Sequence, residues 1–492
     1  MQFISTRNKN DKVSFSTALV KGLASDGGLY VPESYPLITD EEFESMLDMS
    51  YDERANLILG KFATDLTQDE IAKCTSSAYS LFDGDPAPVV KIDEGIYLLE
   101  LFHGPTLAFK DMALTLFPRM LAIAREKAEV KEDVLILVAT SGDTGKAALE
   151  GFADVDHTKI VVFYPSEGVA LMQKLQMATQ KGENVYVAAV KGNFDNCQTG
   201  VKEIFGNEDI KKEFLEKGIR FSSANSINLG RLLPQVVYYI SAYLDLVASD
   251  EIEMGDEVNF SVPTGNFGDI LAGIYAKKMG LPVNKFLCAS NSNNVLTDFF
   301  TTGKYDANRE FFKTISPSMD ILVSSNLERY MFEATGRDDQ KIKDYMKSLK
   351  ETGEFEISKE ELEFMTNDVY PQCATEEETY STIGHFYDEY GYVLDPHTAV
   401  GVYVSDTYLV ESGDYTPCIT VSTASPYKFC PAVLKGVKAR ISENPFDNAR
   451  TLRRVSAIDV PDAISTLETA ELRFEEQFEV EQMADAIREF IK

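Results

Sequence analysis

Histidine is scarce in this 492-residue chain, and closely paired cysteine is missing. Its four histidines (His103, His157, His385 and His397) include no HxxxH pair, and its six cysteines no CxxC. Zinc sites are built from such clustered donors, so the spacing argues against a structural metal. Basic side chains are short as well, with 47 Lys and Arg against 79 Asp and Glu for a formal charge of −32. No positive excess is left to neutralise phosphates, which argues against nonspecific binding to nucleic acid or an anionic membrane. A local cationic pocket for a small anion is unaffected by that balance. No apolar run approaches the roughly 18 residues of a membrane span, and the opening MQFISTRNKN lacks the apolar core of a secretory leader. The expectation is a cytoplasmic protein with reduced thiols.

Repeats, low-complexity tracts and flexible linkers are also missing. What is present is alternation. Short apolar, β-branched runs at Val134 to Ala139, Lys159 to Tyr164, Asn184 to Val190, Glu257 to Val262, Lys285 to Ala289 and Cys418 to Thr423 read as buried strands. Amphipathic stretches at Asp111 to Lys127, Leu171 to Gln180, Leu229 to Val247 and Asp269 to Met279 read as helices. This pattern predicts an α/β protein with largely parallel sheets. The first 90 or so residues carry few strand-like runs and an acidic stretch from Thr39 to Lys73, so a mostly helical N-terminal region is expected. The charged segment Asp338 to Glu378 reads as a helical insertion or cap on the second half. Expected boundaries are 1–95, 96–255 and 256–492.

Several stretches carry chemistry. In His103-Gly-Pro-Thr-Leu-Ala-Phe-Lys-Asp111, Lys110 stands just before a helix beside aromatic and small residues, where lost hydration lowers an amine pKa as a Schiff-base nucleophile requires. The bland alternative is a solvated surface charge. Thr140-Ser-Gly-Asp-Thr-Gly145 joins a strand to a helix and directs amides and hydroxyls over the sheet edge, suiting a carboxylate or phosphate. It reads equally as a turn capped by Asp143 or Thr144. Pro263-Thr-Gly-Asn-Phe-Gly-Asp269 has two glycines three apart at a helix start, a wrap for an anion, without the Walker ending or the full GxGxxG. Its plain reading is a tight turn with Asp269 as cap.

Val421-Ser-Thr-Ala-Ser-Pro-Tyr-Lys428 ends a strand in clustered hydroxyls, able to bond an unprotonated pyridine nitrogen or simply to close a turn at Pro426. In Asn225-Ser-Ile-Asn-Leu-Gly-Arg231, Asn228 and Arg231 are three apart, suited to one helical face and a second anionic group. Asp395-Pro-His-Thr398 reads as an N-cap with proline at the first helical position, His397 being a capping neighbour.

Their order resembles the pyridoxal-phosphate enzymes of the tryptophan-synthase-β type (fold type II), and among these the threonine synthases, almost end to end. Ile4 to Arg7, Gly22 to Pro32, His103 to Asp111, Thr140 to Gly145, Asn225 to Asn228, Gly265 to Asp269, Ser324 to Arg329 and Asp395 to Gly401 carry the resemblance. It implies an α/β fold with two mostly parallel-sheet domains and a mainly helical N-terminal region. It further implies that Lys110, flanked by Phe109, holds pyridoxal 5′-phosphate covalently. Gly265, Asn266, Phe267, Gly268 and Asp269 would hold the cofactor phosphate, and Thr423 the pyridine nitrogen. Thr140, Ser141, Gly142, Asp143 and Thr144 would receive the substrate carboxylate, with Asn228 and Arg231 on its distal phosphate. Lys146 and the pair Leu229-Gly230 depart from the expected pattern and bear on that phosphate pocket.

The implied activity is that of a lyase turning the small molecule O-phospho-L-homoserine, with water, into L-threonine and phosphate. Alternatives are a related phospho-lyase or hydroxyamino-acid dehydratase, which would yield a keto acid and ammonia, and a binding protein without turnover.

Overall fold

The computed structural model describes residues 1–492 apart from Ser141, Gly168 and Ala170, and leaves aside the side chain of Asp195. Two sheets carry its α/β body. The larger runs in the order Val369–Cys373, Val283–Ser290, Val258–Pro263, Cys418–Ser422, Ile96–Glu100, Val89–Asp93, parallel except for the last pair. The smaller, Gln477–Phe478, Val185–Val190, Thr158–Pro165, Asp133–Ala139, Ile219–Ser222, is parallel throughout. The inner strands Val258–Pro263 and Thr158–Pro165 are buried almost end to end, as strands covered on both faces must be, and this explains their largely apolar sequences. An α/β fold of the expected kind is therefore present.

The helix Leu229–Ala248 is buried along nearly its whole length. It packs against the helices Tyr51–Phe62, Lys110–Leu114 and Gly268–Lys278, so one rod braces three segments that lead to the site. Side chains such as Leu232, Val236 and Ile240 are fully buried on it, each stabilising the fold by about 1.5–3 kcal/mol relative to exposure. In its C-terminal half the Arg54 guanidinium reaches Ser241 and Asp245, tying in the N-terminal helices. Those helices start where Ser or Thr precedes Glu by three: Thr39 accepts from the Glu42 amide while Glu42 accepts from the Thr39 amide, and Thr67 and Glu70 repeat the exchange. Among the described residues, no helix is long and apolar enough to cross a membrane.

The structure differs from expectation in four places. The N-terminal region also holds a three-stranded antiparallel sheet, Asn8–Val13, Phe3–Ser5, Tyr30–Pro32. The helix expected over Asp111 to Lys127 is two, Lys110–Leu114 and Phe117–Lys127, the second opening with Pro118 in its first turn. The segment Asp338 to Glu378 is more than a cap, because Val369–Cys373 forms an edge strand of the larger sheet. Finally, the sheets ignore the expected boundaries: Ile96–Glu100 pairs with Cys418–Ser422, and Gln477–Phe478 returns to the smaller sheet.

Candidate active site

Lys110 is placed by a loop bonded on both sides. The Thr106 amide and hydroxyl donate to the Asp111 carboxylate, closing the loop on the helix start. Gly104 permits this, since a Cβ there would lie 2.6 Å from the Cβ of Asp111. Across from it, the Phe109 amide donates to the Thr423 carbonyl at 2.8 Å and the Ser425 amide to the Leu107 carbonyl at 3.0 Å. Lys110 is therefore the first residue of its helix and is buried, its Nζ 4.9 Å from the Phe109 ring centre and 3.3 Å from Ser318 Oγ. Burial lowers its pKa to about 8; Asp143 opposes the shift, while Lys428 and Arg231 add to it. A substantial neutral fraction near pH 8 is what a nucleophilic lysine needs.

Behind Ser318 stands His397. Asp395 caps the helix Pro396–Ser412 through the amides of His397 and Thr398, as expected, and also accepts from His397 Nδ1 at 2.8 Å. The Ser318 amide donates to His397 Nε2 at 3.2 Å. Because an amide only donates, Nε2 is the bare nitrogen and the ring proton sits on Nδ1. The histidine is thus fully buried and linked through Ser318 to Lys110, a larger role than capping neighbour.

The turn between Val258–Pro263 and Gly268–Lys278 has its carbonyls spoken for. Gly265 O accepts from Ser324 Oγ, and Asn266 O accepts from the amide and side chain of Asn326. In a trans peptide the N–H points opposite the C=O, so the amides of Asn266 and Phe267 face away from 324–326. They join the unsatisfied first amides of the helix in an anion cradle. Phe267 has φ 61, the left-handed backbone that bends the chain into the helix. Gly265 allows a close approach, a Cβ there lying 2.9 Å from the Ser318 carbonyl, which brings the cradle against the serine beside Lys110. Asp269 is not the cap; Phe267 holds that position. The Asp269 carboxylate turns instead to the hydroxyls of Tyr238 and Tyr239, its Oδ2 has no partner, and burial raises its pKa to about 6. Only its main chain faces the cradle.

In the second turn, Thr140 Oγ1 accepts from the amides of Gly142 and Gly145 at 3.1 Å, so this hydroxyl shapes the turn. Gly142 caps the helix Asp143–Phe152. Asp143, the first helical residue, forms a buried ion pair with Lys428, Oδ1 to Nζ 3.1 Å. Although burial opposes ionisation, Lys428 and Lys110 hold its carboxyl down at about 2. Ser141 lies outside the described residues. Lys146 bonds Glu150 and Gln180.

Asn228 and Arg231 separate in role. Asn228 caps the helix Leu229–Ala248 by accepting from the Gly230 amide, and its Nδ2 donates to Leu19 O and Ser223 O. Its amide is spent. Arg231 is buried, bonds only Ala224 O through its side chain among the described residues, and leaves Nε without a partner. A buried guanidinium with spare donors is costly unless an anion completes it. Nearby, fully buried Arg329 ties Tyr30 O, Asn326 and Ile227 O together, and Glu328 takes both Arg7 and Thr6. The N-terminal sheet is thereby joined to the cradle support and to the loop before Arg231.

The structure thus gathers Lys110, Phe109, Thr423, the 263–269 turn, Asp143 and Arg231, while Thr140 and Asn228 act as local clamps. Ser318, His397 and Lys428 were not assigned from sequence. Lys428 stood inside a motif that was read, and only its burial reveals its partner.

Comparison with known proteins places the chain in a family. A family model described as threonine synthase N terminus matches residues 2–79, one described as pyridoxal-phosphate dependent enzyme matches 84–421, and one described as threonine synthase, C-terminal matches 398–491. The chain is 42% identical over 458 residues to human threonine synthase-like 1, covering 89% of this chain but 61% of that relative's length. It is 40% identical to threonine synthase of Pseudomonas aeruginosa, covering 88% of this chain and 90% of the relative. A crystal structure of pyridoxal-phosphate-bound threonine synthase from Brucella melitensis superposes with TM-score 0.90 at 36% identity, covering both chains fully.

Proposed function

The chain belongs to the threonine synthase family of pyridoxal-phosphate-dependent enzymes, and from that premise we propose that it converts O-phospho-L-homoserine and water to L-threonine and phosphate, with the cofactor carried on Lys110. The observation that carries this reading is a pair of anion sites around one buried amine. The amides of Asn266, Phe267, Gly268 and Asp269 form one, and Arg231, whose buried Nε has no partner, the other. A cofactor phosphate and a substrate phosphate need two such places.

When bound, pyridoxal phosphate supplies an electron sink for charge developing at the substrate's α and β carbons. The chain supplies the rest. Thr423 would be the neutral hydroxyl partner for the cofactor's ring nitrogen. The turn from Gly142 to Thr144 receives the substrate carboxylate at a helix N-terminus. Lys110, held in place by the Ser318 hydroxyl, would take one proton from the α and one from the β carbon and supply one to the γ carbon that the phosphate has left and one back to the α carbon. Arg231 stays charged while the γ-phosphate departs, before water adds at the β carbon.

Purified protein given pyridoxal phosphate and O-phosphohomoserine should release phosphate and threonine in equal amounts. A keto acid and ammonia in place of threonine would convert the assignment to a simple eliminating lyase.

A further inference from the structure

Lys428 and Lys110 are two buried lysines that both act on the carboxylate of Asp143, and Lys428 alone forms an ion pair with it. The Lys428 side chain is 2% exposed and Asp143's 5%, with Nζ 3.1 Å from Oδ1. A second bond of 2.6 Å from Lys428 Nζ to the Thr106 carbonyl fixes the ammonium to the loop that ends at Lys110. Gln173 Nε2 donates to the same Asp143 oxygen at 3.3 Å. Lys110, by contrast, forms no ion pair among the described residues, and Ser318 is its side-chain partner.

We propose that Lys428 is a positioning residue that engages the carboxylate of Asp143 and so keeps it from capturing Lys110 as an ammonium ion. This rests on the reading of Lys110 as the cofactor-bearing lysine. A buried carboxylate without a partner is strongly disfavoured and draws the nearest available cation. With Lys428 in place that demand is met. With Lys428 removed, Lys110 is the next cation that Asp143 feels.

The other charged groups facing Lys110 do not substitute. Arg231 repels a second cation, the Asp111 carboxylate is taken up by Thr106, and that of Asp269 by Tyr238 and Tyr239. His397 is held by Asp395 and the Ser318 amide. Asp143 is therefore the group able to pull the amine upward, and Lys428 the group that prevents it.

The test reads the titration of Lys110 in the full chain without cofactor, by trace acetylation across pH 6.5–10.5 with peptide mapping, since only neutral amine reacts. Lys428→Met should raise the labelling midpoint of Lys110 by roughly one pH unit or more, cutting its labelling near neutral pH about tenfold. Lys428→Arg should stay close to wild type, and Lys428→Met combined with Asp143→Asn should return the midpoint to the wild-type range. A single variant with an unmoved midpoint, or a double variant as high as the single, overturns the proposal. If Lys428→Met does not fold, Asp143→Asn alone decides: the midpoint should fall, and a rise overturns the proposal. Borohydride reduction of the cofactor-loaded wild type, mapped to its lysine, separately tests the underlying reading, so the two failures are told apart.

Discussion

Ser318 stands between Lys110 and His397, with its hydroxyl 3.3 Å from the lysine Nζ and its amide bonded to the histidine Nε2. Losing the hydroxyl in Ser318→Ala should lower kcat about tenfold, the worth of one charge-assisted hydrogen bond. His397→Leu acts through the same serine, so steady-state kinetics should show a similar loss and little further loss in the double variant. Additive losses would mean that the two residues work independently.

Arg231→Ala should reduce kcat/KM for O-phosphohomoserine roughly thirty-fold or more, because truncating one partner of a desolvated charged contact costs about 2–5 kcal/mol. Cofactor loading should be unchanged, as read by absorbance. Arg231→Lys should recover only part, since an ammonium lacks the planar fork. A loss within about two-fold would make Arg231 structural.

Thr423→Asp should shift the cofactor absorbance and divert product toward keto acid, because a carboxylate holds a pyridine nitrogen protonated where a hydroxyl does not. An unchanged spectrum with unchanged product ratio would remove Thr423 from the site.

Lys110 should weigh on stability in the absence of cofactor. Burial lowers its pKa to about 8, so the unfolded state binds more protons between pH 8 and the ordinary lysine value. Stability therefore rises across that window, and the full cost is present below it. Lys110→Met should stabilise the unliganded chain at pH 7 by up to roughly 3 kcal/mol, an advantage that shrinks above pH 8. Urea melts at pH 7 and 10 check the sign.

Asp269 has the opposite linkage. Burial raises its pKa to about 6, so the folded state binds more protons than the unfolded between the ordinary aspartate value and pH 6, and stability falls as pH rises through that range. Asp269→Asn should gain about 1–2 kcal/mol over wild type at pH 7.5 and nothing at pH 4, the gain being limited because its amide nitrogen takes over the place of unpartnered Oδ2. Melts at the two pH values decide.

What could be read from sequence was local. The run Val134 to Ala139 ending in Thr140 to Gly145, and Val258 to Pro263 ending in Gly265 to Asp269, show strand, turn and helix start within a dozen residues, and the structure forms both. What could not be read depends on distant pairing. Ser318 meets Lys110 across 208 positions and His397 across 79, so no spacing rule reports either contact. The strand Asn8–Val13 escaped notice because its sequence, NKNDKV, has one β-branched residue; it is an exposed edge held by Phe3–Ser5. The plain capping readings also missed: Gly142 holds the position expected of Asp143 or Thr144 and Phe267 that expected of Asp269, while the carboxylates of Asp143 and Asp269 are drawn off by Lys428 and by two tyrosines.

The strand Cys418–Ser422 lies between Val258–Pro263 and Ile96–Glu100, and Gln477–Phe478 closes an edge laid down by Val185–Val190. During synthesis the larger sheet stays split into two unjoined halves until residue 422 has left the ribosome, and the smaller keeps an open edge until residue 478. At about 5–20 residues per second, covering the more than 300 residues from Ile96 to Cys418 takes on the order of a minute or less. For that interval the nascent chain presents unpaired strand edges in an otherwise folding body, the condition under which holding chaperones are engaged and aggregation competes with completion.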